Sequence, residues 1–170
     1  MEVKIKKLHK DAVIPFKAYD KDFCYDVVAV SEEEVAHNVW KYGLGFALQI
    51  NRGAEPILSS FKEQDLEIQP IEYTIDIHKS PINLSIDFRP RSSVWKTGMV
   101  LSNCEGTIDE SYTGEISAVF YHVMPNMPRY KVGDRIGQIK IGMTFPITFK
   151  EVDELSETER GEGGYGSTGK

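Results

Sequence analysis

The residues best suited to chemistry gather in one stretch, residues 90–115, PRSSVWKTGMVLSNCEGTIDESYTGE. Arg91 stands beside two hydroxyls, Ser92 and Ser93. A guanidinium fork flanked by hydroxyls can hold phosphate oxygens. The polar run Ser102-Asn103-Cys104-Glu105-Gly106 can turn as a hairpin that reads a small planar ring. Asp109, which follows Gly106-Thr107-Ile108, can accept a proton from a water or orient it. Tyr112 offers a ring on which a sugar can stack, and a ring pressed against the 2′ carbon favours a deoxyribose. Plainer readings stand beside these: a polar turn for Arg91-Ser92-Ser93, a turn residue for Asp109 and core packing for Tyr112.

Two later runs add to the set. Gly133-Asp134-Arg135-Ile136-Gly137-Gln138 carries a second Arg and an amide. In a regular strand Asp134, Ile136 and Gln138 share one face and Arg135 takes the other, so Arg135 and Gln138 are expected to point apart, with Gln138 toward a ligand and Arg135 in a mixed role. Residues 160–169, RGEGGYGSTG, are glycine-rich, and glycines let a backbone wrap closely round phosphates. Arg160 supplies charge there, Ser167 and Thr168 supply donors, and Tyr165 supplies a face for a base. The plainer reading is a flexible linker, and no Gly-Lys-Ser/Thr ending is present for a Walker-type loop. Asp26, in the strand-like run 23–27, can reach a metal-bound water or serve as an edge-strand charge. His9, His37, His78 and His122 show no ligand spacing, and with two cysteines, Cys24 and Cys104, a zinc site is not indicated.

These residues need a scaffold. The chain has 170 residues, enough for one domain with a sizeable core. Its formal net charge of −6 argues against general nucleic-acid or membrane binding, so a polyanion must be met by a few placed arginines, with a metal ion as a possible helper. No apolar run approaches the ~20 residues of a membrane span. The sparse cysteines suit a reducing compartment, by default the cytoplasm. Alternating polar and apolar residues predict strands at 2–8, 44–50, 71–77, 84–88, 136–141 and 145–149, with further strand-like runs at 25–30 and 116–123. Ser31 and Glu34 have capping-box spacing and predict a weak helical turn, and residues 60–65 a short one. Many short strands punctuated by Gly, Pro and Asn indicate an all-β sandwich or barrel over residues 1–152. From Asp153 the composition turns polar and Gly-rich, which predicts a mobile arm over 153–170.

Taken together, five ordered segments, residues 23–29, 90–93, 103–115, 133–138 and 160–169, resemble the five motifs of the trimeric dUTP pyrophosphatases (dUTPases). The most specific are Gly106-x-Ile108-Asp109-x-x-Tyr112-x-Gly114 and the run from Arg160 to Gly169. The resemblance implies a jelly-roll or β-clip barrel with little helix, assembled as a homotrimer with shared sites, that hydrolyses dUTP to dUMP and pyrophosphate with Mg2+. It implies that Asp109 activates the attacking water and that Tyr112 lies under the deoxyribose. Asn103 and the backbone of Gly106, Thr107 and Ile108 read the uracil edge. Arg91, Ser92, Ser93 and Gln138, with Arg135, meet the phosphates. Arg160, Ser167 and Thr168 close over them, Tyr165 and Gly166 cover the base, and Asp26 holds magnesium through water.

The sequence departs from the family pattern in three places. Cys24 stands where glycine is common, Ser111 replaces a frequent Asp, and an insert of about residues 51–80 precedes the second motif. That insert is either a surface embellishment or a site for a protein partner. Two other functions share part of this evidence. One is a dCTP deaminase of the same fold, which uses a glutamate to activate water at the cytosine ring. The other is a non-enzymatic nucleotide sensor acting through the insert.

Overall fold

The computed structural model describes residues 2–51 and 82–164, together with the backbone of residues 57–58 and 74–75. Along the chain run β1 (Glu2–Lys7), β2 (Tyr25–Val28), β3 (Ser31–Ala36), β4 (Val39–Gly43), β5 (Phe46–Asn51), β6 (Ile57–Leu58), β7 (Thr74–Ile75), β8 (Asn83–Pro90), β9 (Met99–Leu101), β10 (Gly106–Asp109), β11 (Ser117–His122) and β12 (Arg135–Thr144). The only helix among the described residues is a 3-10 turn, Ser92–Thr97. The chain is therefore all-β, as its alternating pattern predicts.

All pairings are antiparallel. One sheet has the order β10-β8-β12-β2, a second the order β3-β4-β11-β9, and β1-β5 and β6-β7 form two-stranded sheets. Alternate residues of β8 show how the layers meet. Leu84, Ile86 and Phe88 are buried against the core, and Phe88 meets Phe120 of the facing sheet edge to face at 6.3 Å. Phe120 also packs against Tyr42 at 5.9 Å and Tyr130 at 5.5 Å, in the edge-on geometry that aromatic pairs favour. Tyr42 donates its hydroxyl hydrogen to the Tyr130 carbonyl, 2.9 Å away, so its buried polar end is satisfied.

Two expectations fail. Residues 31–34 are not helical: β3 pairs with β4 from Ser31↔Gly43 to Ala36↔Val39. The link is a two-residue turn, His37-Asn38, with Asn38 at φ 59, a conformation Asn tolerates and tight hairpins need. Glu34, read as a helix cap, instead accepts a hydrogen bond from the Asn38 backbone N–H at 2.9 Å. The strand expected at 145–149 is also missing. β12 ends at Thr144, and Phe145, Ile147 and Phe149 stand 73%, 73% and 90% exposed. Their alternation has no neighbouring strand among the described residues, and an unpaired strand gains neither ladder bonds nor burial. Of the strand expected over 71–77 only residues 74–75 are described, and they form β7; the helical turn expected at 60–65 lies outside the described residues.

Glu32 of β3 ties that strand to the segment between β11 and β12. It accepts from Arg129 Nη2 at 3.0 Å and from the Val132 N–H at 3.2 Å, while the Arg129 guanidinium lies 3.4 Å over the Trp40 ring. The hydrogen bond from Arg129 is the main reason the Glu32 carboxyl sits below its usual range, against the opposing pull of burial. A carboxylate whose folded pKa is depressed stabilises the fold above its unfolded value, near 4.3, and loses that contribution as pH falls through the folded value. Glu32→Gln is expected to unfold at lower urea than the wild type at pH 7, and to lose less further stability between about pH 4.5 and pH 3. Urea titrations that give both proteins the same midpoint at every pH would show that this carboxylate does not support the fold.

Candidate active site

A cavity of about 330 Å³ opens between β10 and the run into β11. Its lining includes Asn103, Gly106, Thr107, Ile108, Asp109, Tyr112, Glu115 and Ile116. The structure thus brings together the ring-reading and water-activating residues named from the sequence. Among the described residues β10 is an edge strand with β8 as its one neighbour, in register from Gly106↔Phe88 to Asp109↔Ser85. An edge strand presents backbone donors and acceptors along its open side, and a planar base can be read by such a row.

Local geometry fixes the walls of this cavity. Cys104 takes φ 57, which closes the tight turn between Asn103 and Gly106. Arg89 of β8 grips Glu105 through both Nε and Nη2, each 2.6 Å from Oε1, and so pins the hairpin tip to the sheet. Tyr112 folds back over Gly114, where a Cβ would collide with its ring, and its hydroxyl donates to the Glu115 carbonyl at 3.0 Å. The Tyr112 N–H donates to the Asp109 carbonyl at 3.0 Å, which couples the tyrosine to the carboxylate-bearing turn. Glu115 and Arg89 carry no local sequence signal, since each acts through a partner distant in the chain. Glu115 Oε1 accepts from the Gly45 N–H at 2.9 Å and anchors the Tyr112 loop to the start of β5. Both carboxylates lining the cavity are exposed, but Glu115 is committed to the scaffold through the Gly45 N–H, and Asp109 carries no such tie.

Three of the residues assigned to phosphates, Arg91, Arg135 and Gln138, form a second cluster, and none of these three lines the cavity. Their meeting point is Asp26, a side chain 4% exposed. Gln138 Nε2 donates to Asp26 Oδ1 at 3.0 Å, Arg135 Nη1 donates to Oδ2 at 3.1 Å, and Arg91 Nε lies 3.3 Å from Oδ1. Arg135 and Gln138 therefore reach the same carboxylate, contrary to the expectation from strand alternation. A β-bulge between Arg135 and Gly137, opposite Val28 and Val27 of β2, inserts the extra residue that changes the phase. Gly137 suits that position, because a Cβ there would run into the Phe88 ring and the Arg89 carbonyl. Ser92 and Ser93 open the 3-10 turn directly after Arg91. Arg160 is exposed and donates through Nε to the Gly163 carbonyl at 2.9 Å, within its own turn. Tyr165, Gly166, Ser167 and Thr168 lie outside the described residues.

The donor set does not suit a magnesium ion held by the chain. No group of three or more His, Cys, Asp or Glu side chains converges among the described residues. Both Asp26 oxygens are taken by Gln138, Arg91 and Arg135, and two guanidiniums next to the carboxylate repel a further cation.

Comparison with known proteins agrees with the geometry. A protein-family model described as dUTPase matches residues 55–169. The deoxyuridine 5′-triphosphate nucleotidohydrolase of Clostridium kluyveri is 32% identical over 170 residues, covering 99% of each chain. That of Nautilia profundicola is 31% identical over 172 residues, covering 100% of each. Among solved structures, the dUTPase of Staphylococcus bacteriophage 80alpha with dUPNHPP superposes with a TM-score of 0.68 at 20% identity, covering 99% of this chain and 98% of that one. The dUTPase of S. aureus phage phi11, described with a species-specific insert, gives 0.61 at 15% identity, covering 93% and 100%. These two establish a shared fold. The full-length sequence matches, together with a cavity that gathers Asn103, Asp109 and Tyr112, place the chain in the dUTPase family.

Proposed function

We propose that this protein is a dUTP diphosphatase. The observation that carries the reading is the β10-edged cavity, which sets one free carboxylate, Asp109, beside a tethered tyrosine and an open row of backbone groups. Uracil is read by the backbone of Gly106, Thr107 and Ile108 and by the Asn103 amide. Cytosine reverses the donor and acceptor pattern at position 4 and leaves those groups mismatched. The deoxyribose lies against Tyr112, whose ring the hydroxyl tether holds in place. Asp109 orients a water and accepts its proton as the water oxygen bonds to the α-phosphorus. The bond from that phosphorus to the bridging oxygen breaks, and pyrophosphate leaves with the electron pair. A magnesium ion, carried in with the triphosphate, would supply charge to offset the phosphates, while Arg91, Arg135 and Gln138 grip them.

The phosphates are met by Arg91, Ser92, Ser93, Arg135 and Gln138, and the arm over 153–170 closes the site with Arg160, Ser167, Thr168, Tyr165 and Gly166. We place these groups in one site through a homotrimer, in which one copy's cavity faces another copy's arginine cluster. Three features support that assembly. The two clusters lie on different parts of one chain. Phe145, Ile147 and Phe149 alternate without a partner strand among the described residues. An apolar slot of about 400 Å³, lined by residues such as Val3, Ile5, Ile14, Leu48 and Ile139, stands open. The body over 1–152 then acts as one barrel domain. No helix among the described residues is long and apolar enough to cross a membrane, Cys24 and Cys104 are both free thiols, and we read the site of action as the cytoplasm. The deaminase reading is weaker, because Glu115, the one glutamate lining the cavity, is bound to the Gly45 N–H.

Asp109→Asn is expected to bind dUTP with little change in KM and to lose about 10²- to 10⁴-fold in kcat, the usual range for a general base. Near-normal pyrophosphate release by this variant would remove Asp109 from the chemistry. Tyr112→Phe keeps the ring and deletes the tether to the Glu115 carbonyl. Its kcat/KM for dUTP is expected to fall about 2- to 10-fold, the worth of one modest hydrogen bond, and unchanged kinetics would mean that packing alone positions the ring. A chain ending before Arg160 is expected to keep its fold by circular dichroism and lose most of its turnover. Full activity in that chain would make the arm dispensable.

A further inference from the structure

We propose that Asp26 is a positioning residue that assembles the phosphate grip, in place of the water-mediated magnesium contact expected from its motif. This rests on the reading of Arg91, Arg135 and Gln138 as phosphate contacts. Those three come from separate places in the chain, the end of β8, the start of β12 and its interior beyond the bulge, and all reach one carboxylate. Asp26 is held rigidly. Its backbone pairs with Gln138 on one side and exchanges hydrogen bonds with Phe16 on the other, at 2.7 and 3.2 Å.

The electrostatics run the same way. Two guanidiniums that converge without a counter-charge repel each other, and a buried carboxylate between them reverses that. The partners, unlike the anchor, remain in reach of solvent. The side chains of Arg91 and Arg135 are 27% and 43% exposed, against 4% for Asp26. Arg91 turns Nε to Asp26 and Arg135 turns Nη1, so further N–H donors of each fork stay available to a phosphate. Asp26 thus faces the inner edge of the grip and the triphosphate faces the outer edge. Glu105 does for Arg89 what Asp26 does for the grip, but at the surface and with a single arginine.

The test measures binding, apart from turnover. Inorganic tripolyphosphate probes the grip and deoxyuridine probes the cavity, each titrated by calorimetry into the full chain with and without magnesium. Asp26→Asn is expected to weaken tripolyphosphate by about tenfold or more in both conditions, as misplacing a gripping group does. Deoxyuridine affinity is expected to stay the same. Arg135→Ala should weaken tripolyphosphate too, and adding Asp26→Asn to it should cost less than Asp26→Asn costs alone, because the two act through one contact. If Asp26→Asn proves poorly folded, Asp26→Glu, which keeps the charge and shifts it outward, replaces it with the same expected pattern at smaller size. Tripolyphosphate binding that is unchanged, or that weakens only when magnesium is present, would overturn the proposal in favour of a metal role. A wild-type chain that binds tripolyphosphate in the expected pattern yet leaves dUTP intact would overturn the proposed function and leave the role of Asp26 standing.

Discussion

A carboxylate removed from water is costly unless donors and cations come to it. Asp26 imposes that requirement on three side chains at once. Burial of this one side chain draws Arg91 from the end of β8, and Arg135 and Gln138 from either side of a bulge in β12, to a common point. The bulge, the glycine that permits it and the close approach of the Phe88 ring are linked by the same packing. The local irregularity of β12 is therefore part of how the cluster is built. A regular strand would leave Arg135 on the opposite face from Gln138.

The cavity relies on a different device. One of its walls is β10, an edge strand among the described residues, and an open strand edge can present a fixed row of donors and acceptors only if the strand stays where it is put. Register against β8, the Arg89–Glu105 pair at the hairpin tip and the Glu115–Gly45 bond behind the Tyr112 loop all act on that one strand and its turn. Asp109, at the end of β10, is left exposed beside a fixed ring. The sheet β10-β8-β12-β2 thus carries a wall of the cavity at one border and the arginine cluster toward the other.

Much of this was legible in the sequence, for physical reasons that can be named. The alternation in β8, with Leu84, Ile86 and Phe88 inward, follows directly from a sheet buried on one face. The grouping of Asn103, Asp109 and Tyr112 is local in the chain, so short-range spacing is enough to find it. Long-range partners leave no such trace. Glu115 answers to Gly45, 70 residues away, and Asp26 to Arg135, 109 away. The bulge was signalled only by Gly137 inside an otherwise regular strand pattern. At 31–34 a capping-box spacing outweighed the better clue, an Asn placed for a two-residue hairpin. At 145–149 the alternation predicts a strand that is not formed, because a strand needs a neighbour, and among the described residues none pairs with it.

The central claim is that the cavity of one copy and the arginine cluster of another make one dUTP-hydrolysing site. Co-refolding an Asp109→Asn chain with an equal amount of an Arg91→Ala chain, each nearly inactive alone, tests it most directly. If sites form between copies, about one quarter of them receive an intact cavity and an intact cluster, and pyrophosphate release from dUTP should return to that share of the wild-type rate. A mixture no more active than its two components would contradict the account.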